Sequence, residues 1–249
     1  KAKKILSEFK QEFRRRGWPE LLWYGPDEPA VNEQSLENFQ GYQSVRENFR
    51  IVTAISDHAV TTYADLLDVW VVNAGCTSPE LQKLASDKGA EVWNYTCNNR
   101  GTSNTSFQRF YAGIYTWALR LTGNFIWGYM ETYAWEGDRN AVFCYAIPSD
   151  SGPIPSVAWE ARREGVEDYR LLTYLESLIA KEPQRDDARH ARVWLEGIRG
   201  KVDWYLARKM PPSLYTLDGP ELYPLCPNFE PAELAQVRVK AIDFILRLK

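Results

Sequence analysis

The sequence is short of the residues that build metal and thiol chemistry. Its 249 residues include four cysteines and two histidines. Cys76, Cys97, Cys144 and Cys226 are too far apart for a zinc or redox motif and too few for a disulfide scaffold, so buried, inert thiols are expected. With only His58 and His190 present, a multi-histidine metal site is not expected, and a Ser-His-Asp triad would have to use one of the two. Long apolar runs are missing as well. None approaches the roughly 20 residues of a membrane-spanning helix, and the mean hydropathy is -0.44. There is no basic excess: Lys and Arg total 30 against 33 Asp and Glu, a formal net charge of -3. That leaves no electrostatic footprint for nucleic acid. Neither common Gly-rich phosphate loop occurs, which argues against a nucleotide enzyme, and no cofactor is expected. The chain opens at Lys1 with neither an initiator Met nor the apolar core of a signal peptide. It reads as a piece of something longer, and its compartment stays open, a secreted or cell-envelope location included.

Aromatic residues are plentiful. Ten Trp and 14 Tyr stand in a chain that is otherwise average for a soluble globular protein, at 45% hydrophobic and 25% charged. Flat rings with a polar handle suit wet clefts and sugar faces as well as cores.

Residues 2 to 16 place Ile5, Leu6, Phe9 and Phe13 on one face, an amphipathic helix stopped by Gly17 and Pro19. Five apolar runs then end in polar or turn residues: 21–24, 51–55, 69–72, 92–96 and 125–130. Helical patterns lie between them, notably 78–88 and 107–121. Continuous apolar strands alternating with helices predict a parallel sheet buried on both faces. The polar residues gather at the C-terminal ends of the strands, where βα units place their ligands. A stretch at 142–147 reads as a sixth strand or equally as an extended connection. From about Ser156 the pattern changes to long helices at 159–179, 188–205 and 234–248, with a Pro-rich connection from 210 to 231. The expected fold class is therefore α/β, a TIM-type barrel of which only the C-terminal part is present, because a complete one needs eight strands. Residues 1–155 form that barrel portion. Residues 156–249 form a barrel-closing helix and a helical extension.

The sharpest chemical feature is Asp27-Glu28, adjacent carboxylates between Pro26 and Pro29 at a strand end. Neighbouring strand side chains normally point to opposite faces, but a proline-stiffened turn can aim both into one mouth. Like charge and burial would then raise the pKa of one, as a general acid requires. A surface turn with Asp27 as a cap and Glu28 solvated is the plainer alternative. Around the other strand ends stand Asn73, Trp93, Tyr95, Asn99, Trp127 and Tyr129. They supply the apolar faces and hydrogen-bond partners that a sugar needs. His58, beside Asp57, is a candidate base or a structural histidine. Glu131 and Glu136 read as a charged loop, and the glycosylation-like patterns at Asn94 and Asn104 as chance.

Taken together, these residues resemble the catalytic barrel of glycoside hydrolase family 123 and its large relative, domain-of-unknown-function family 4091. Tyr24-Gly25-Pro26-Asp27-Glu28-Pro29 is similar to the family's Asp-Glu-Pro at a central strand end. Residues 91–97 are similar to its Trp-x-Tyr-Thr-Cys strand, and Trp117 through Trp127 to the helix and strand that close the barrel. Residues 159–170 resemble a Trp-Glu-Ala-x-Arg-Glu-Gly-Ile-x-Asp-Tyr signature. The resemblance runs from about residue 20 to 180, and Ala158 stands where the family has arginine. It implies hydrolysis of a terminal N-acetylhexosamine, typically β-linked N-acetylgalactosamine, with retention and with the substrate's own acetamide as nucleophile. Asp27 would orient the acetamide and Glu28 would act as acid and base. Trp93 and Tyr95 would wall the ring, and the remaining strand-end residues would complete the pocket. The implied partner is a glycan. Two other readings stay open: a non-catalytic carbohydrate-binding or structural barrel, and a fragment that needs its missing N-terminal barrel segment or self-association. The signature helix itself reads as structural, with Arg163, Glu164, Glu167 and Asp168 at ion-pairing spacings over Trp159 and Tyr169.

Overall fold

The structure is a computed structural model that describes residues 2–73, 77–96, 105–126, 145–147, 149–202, 229 and 231–249. The chain divides into two compact units, Lys1–Tyr95 and Thr96–Lys249. This boundary of compactness falls inside a strand. It is a different criterion from the change at 155–156, where βα alternation gives way to long helices.

The first unit runs α1 (Ala2–Arg15), β1 (Trp23–Tyr24), α2 (Glu33–Arg46), β2 (Ile51–Ala54), α3 (Asp57–Tyr63), a 3-10 turn (Ala64–Leu66), β3 (Val69–Asn73), α4 (Pro79–Asp87) and β4 (Glu91–Thr96). Helices begin where capping chemistry allows. Asn32 accepts the Ser35 N–H at 2.8 Å, and Ser78 accepts the Leu81 N–H at 3.1 Å ahead of Pro79. Each strand pairs in parallel with the next: Tyr24 lies opposite Val52, Ala54 opposite Val71, Val71 opposite Trp93, and Asn73 opposite Tyr95. Side chains alternate along a strand. This register therefore puts Tyr24, Val52, Ala54, Val71, Trp93 and Tyr95 on one face. The other face carries Ile51 and Trp70, both fully buried. Phe39 of α2 covers it near Gly25, where an added Cβ would sit 3.2 Å from the Phe39 ring; Phe39 in turn packs on Tyr63 of α3 at 4.8 Å.

Polar pairs fix the N-terminal ends of these strands. The Asp68 carboxylate accepts the Ile51 N–H at 2.8 Å and pairs with Arg46 at 2.7 Å, while Arg50 pairs with Glu91 at 2.7 Å. In barrels this end serves stability and the opposite end serves chemistry.

The second unit holds α5 (Thr105–Phe110), one π-helical turn (Tyr111–Tyr115), α6 (Thr116–Ala118), β5 (Gly123–Ile126), β6 (Ala146–Ile147), β7 (Ile154–Pro155), α7 (Val157–Lys181), α8 (Asp186–Lys201) and α9 (Pro231–Leu248). The helix expected at 107–121 is thus interrupted by a π turn, whose Tyr111 carbonyl accepts the Thr116 hydroxyl at 2.8 Å. The described end of the 142–147 stretch pairs antiparallel with β7, so it adds no further parallel strand. With β1–β4 alternating with helices and β5 following a helix, the fold is a partial α/β barrel with C-terminal helices.

α7 carries the 159–170 signature. Its Gly165 crosses Gly113 so closely that a Cβ on Gly113 would lie 2.6 Å from the Gly165 carbonyl oxygen. One turn on, Asp168 is buried. Arg109 of α5 reaches it at 2.7 Å and Arg238 of α9 at 2.5 Å. Arg163 pairs with Glu160 and Glu167 on the exposed side. Both ends of the signature therefore make structural contacts within this unit.

Candidate active site

Strand β1 is only two residues long because Gly25 and Pro26 end it, and proline has no N–H to continue the ladder. The turn that follows leans over the neighbouring strand. The Glu28 N–H donates to the Ala54 carbonyl at 3.1 Å, and the Thr53 hydroxyl donates to the Pro26 carbonyl at 2.5 Å. From α3, the Tyr63 hydroxyl donates to the Ala30 carbonyl at 2.5 Å and holds the exit of the turn. Held in this way, Glu28 adopts φ +40°. The left-handed region costs a residue with a Cβ about 1–2 kcal/mol. Strain of this kind concentrates at functional sites.

Both carboxylates are exposed to solvent, and each is held by a different tyrosine. The Tyr24 hydroxyl donates to Asp27 Oδ1 at 2.6 Å and accepts the Ala54 N–H at 3.2 Å. Burial first, and then its bond to Asp27, push the Tyr24 phenol up to about 12, so it remains a donor at any ordinary pH. The Tyr95 hydroxyl donates to Glu28 Oε1. Tyr95 lies on β4, three strands from β1, and neighbouring strands are about 4.8 Å apart. Because the turn already sits over β2, about 10 Å of sheet remains to be spanned, within reach of a phenol and a glutamate that meet from the same face. Among the described residues no Lys or Arg pairs with Asp27 or Glu28. Their hydrogen-bond donors among these residues are the hydroxyls of Tyr24 and Tyr95.

The other expected residues are less closely gathered. Trp93 is half-buried on the same face as Tyr95, and its indole N–H donates to Glu91 Oε2 at 3.2 Å, toward the N-terminal end of the strand. Asn73 stands opposite Tyr95 in the register. Asn99, Trp127 and Tyr129 lie outside the described residues, as do Glu131, Glu136, Asn104 and all four cysteines. His58 is exposed in the first turn of α3, 3.4 Å from the Ser56 hydroxyl, and His190 is exposed on α8. Asn94 is fully buried, which is incompatible with a glycan acceptor. Among the described residues no group of three His, Cys, Asp or Glu side chains is placed to hold a metal ion. No described helix is long and apolar enough to cross a membrane. Tyr24 was not picked out as a site residue from sequence. Its signal was available in the period-two alternation that sets it on the face of Val52, one position before the Gly25-Pro26 stop.

A partial α/β barrel with paired carboxylates at the C-terminal end of a strand is an arrangement found in glycoside hydrolases. The profile of the glycoside hydrolase 123 catalytic domain matches residues 2–175, and the chain belongs to that family. It is accordingly a glycoside hydrolase domain whose expected substrate is a glycan. No match was found among curated proteins.

Proposed function

We propose that the protein hydrolyses a terminal β-linked N-acetylhexosaminide, N-acetylgalactosaminide in the first instance, by a retaining mechanism in which the substrate's acetamide is the nucleophile. The observation that carries this reading is the adjacency of Asp27 and Glu28 at the end of β1, with a separate tyrosine hydroxyl on each. The acetamide oxygen attacks the anomeric carbon as the glycosidic bond breaks, and the leaving oxygen takes a proton from Glu28. Asp27 accepts the acetamide N–H and offsets the positive charge of the developing oxazolinium ion. Glu28, now a carboxylate, takes a proton from water as that water opens the ring, and the two displacements together retain configuration. Trp93 and Tyr95 wall the acetamide or the sugar ring. On the family resemblance alone, Asn73, Asn99, Trp127 and Tyr129 are proposed as further substrate contacts.

The test is Glu28→Gln assayed on aryl and alkyl N-acetyl-β-galactosaminides. Removing a general acid typically costs about 10²–10⁴ in rate. The loss should be greater for the alkyl substrate, whose leaving group needs the proton more. Binding of the substrate should survive. Slow hydrolysis that is identical in the wild type and Glu28→Gln would end the assignment.

A further inference from the structure

Resting on that reading, we infer that Tyr24 is a positioning residue that sets which oxygen of Asp27 faces the acetamide. The phenol is committed at both ends. It accepts the backbone N–H of Ala54, the last residue of β2, and it donates to Oδ1 of Asp27. Asp27 Oδ2 has no hydrogen-bond partner among the described residues. A carboxylate on an exposed turn would otherwise rotate freely about its last torsion, which has no staggered wells to hold it. By tying Oδ1 to the sheet, Tyr24 fixes the carboxylate plane and leaves Oδ2 for an incoming N–H. The anchor is a strand backbone, more rigid than another side chain, and a phenol pushed up to about 12 does not ionise at working pH.

The neighbouring hydroxyls separate this role from general support of the turn. Tyr63 and Thr53 donate to the carbonyls of Ala30 and Pro26 and touch neither carboxylate. Loosening the turn through Tyr63 therefore disturbs Asp27 and Glu28 alike, whereas the Tyr24 hydroxyl, which also accepts the Ala54 N–H, bonds to the Asp27 carboxylate and not to that of Glu28.

The experiment measures kcat and KM for aryl N-acyl-β-galactosaminides whose acyl methyl carries none, one, two or three fluorines. The full chain is used as wild type, Tyr24→Phe, Asp27→Asn and Tyr63→Phe. Fluorine withdraws electrons from the acetamide oxygen, so a substrate-assisted reaction slows along the series. When Asp27 is correctly aimed it shares the developing charge and the slope is moderate. In Tyr24→Phe the charge stays on the acetamide. The slope should then steepen in the direction set by Asp27→Asn, with kcat reduced about 10- to 100-fold and KM little changed, as expected for lost orientation. Tyr63→Phe should keep the wild-type slope, and the thermal unfolding midpoint of each variant reports whether it is folded. A wild-type slope in Tyr24→Phe, or equal steepening in Tyr63→Phe, overturns the inference while leaving the proposed function standing. A wild type that shows no turnover, or no dependence on fluorine, overturns the proposed function and this inference with it.

Discussion

Replacing Gly165 by alanine exchanges a helix-breaking residue for the best helix former, yet it should destabilise the protein. Gly165 lies mid-helix in α7, where Ala is favoured over Gly by about 1 kcal/mol. Against that, its Cβ would fall inside contact distance of the Arg109 carbonyl oxygen and 3.1 Å from the Ala112 Cβ. The first of these is backbone and cannot rotate aside. On the facing side, the Gly113 Cβ would stand 2.6 Å from the Gly165 carbonyl oxygen, so neither helix has room to give. Restoring ordinary contact separates the helices by about 0.8 Å, and gaps of that size forfeit a quarter to a half of each dispersion contact. The contacts at stake include Phe107, Phe110, Tyr111, Ile114 and Leu172, all buried. Overpacking of this kind costs about 3 kcal/mol or somewhat more. Net of the propensity gain, Gly165→Ala should lose about 2–3 kcal/mol, a fall of about 4–12 °C in thermal midpoint for a chain of this size. Gly197 on α8 is the control, because nothing lies within 4 Å of its added Cβ. There the same change should raise the midpoint by a few degrees, worth up to about 1 kcal/mol. Circular dichroism melts of the two variants measure both. If Gly165→Ala melts as high as Gly197→Ala, the close crossing does not exist.

Asp168→Asn should cost about 3–5 kcal/mol in urea unfolding, because it strips the buried partner from Arg109 and Arg238; an unchanged midpoint would show that the network contributes nothing. Tyr24 has a folded-state pKa of about 12 against an ordinary value of 10, so the fold favours its neutral form. That contribution is complete below pH 10 and is lost between pH 10 and 12. Tyr24→Phe should therefore lose less stability across that window than wild type and lack one late-appearing tyrosinate in an ultraviolet titration; matching titrations would refute the shift. At position 28 the usual order of alanine and glycine should invert. Both Glu28→Ala and Glu28→Gly lose the Tyr95 bond, but only alanine keeps the strain at φ +40°, so the glycine variant should be more stable by about 0.5–1 kcal/mol in denaturant. A more stable alanine variant would mean that the turn is not held in the left-handed region.

The parts of this fold that the sequence makes legible are those that repeat locally. The apolar runs at 51–55 and 69–72 declare themselves because every residue of β2 is buried, and the N-cap serines of α4 and α7, Ser78 and Ser156, stand where local chemistry needs them. Asp27-Glu28 is visible for the same reason: two prolines and a strand end lie within six residues. What joins the carboxylates to their surroundings is not local. Tyr24 reaches the Ala54 backbone 30 positions away, Tyr63 reaches Ala30 across 33, and Tyr95 reaches Glu28 across 67. None of these residues differs in type from the many other tyrosines in the chain, and only the register of the parallel sheet selects them. The signature helix shows a related limit. Its charges at 163, 164, 167 and 168 have ion-pairing spacings, yet the partners that bury Asp168 come from α5 and α9, 59 and 70 positions away. Gly165 has no local reason to be glycine at all. Its reason is the Arg109 carbonyl of another helix. The proposed catalytic carboxylates thus stand out by pattern, while the hydroxyls bonded to them depend on which strands become neighbours. The positioning residues of such a site are harder to read from sequence than the groups they position.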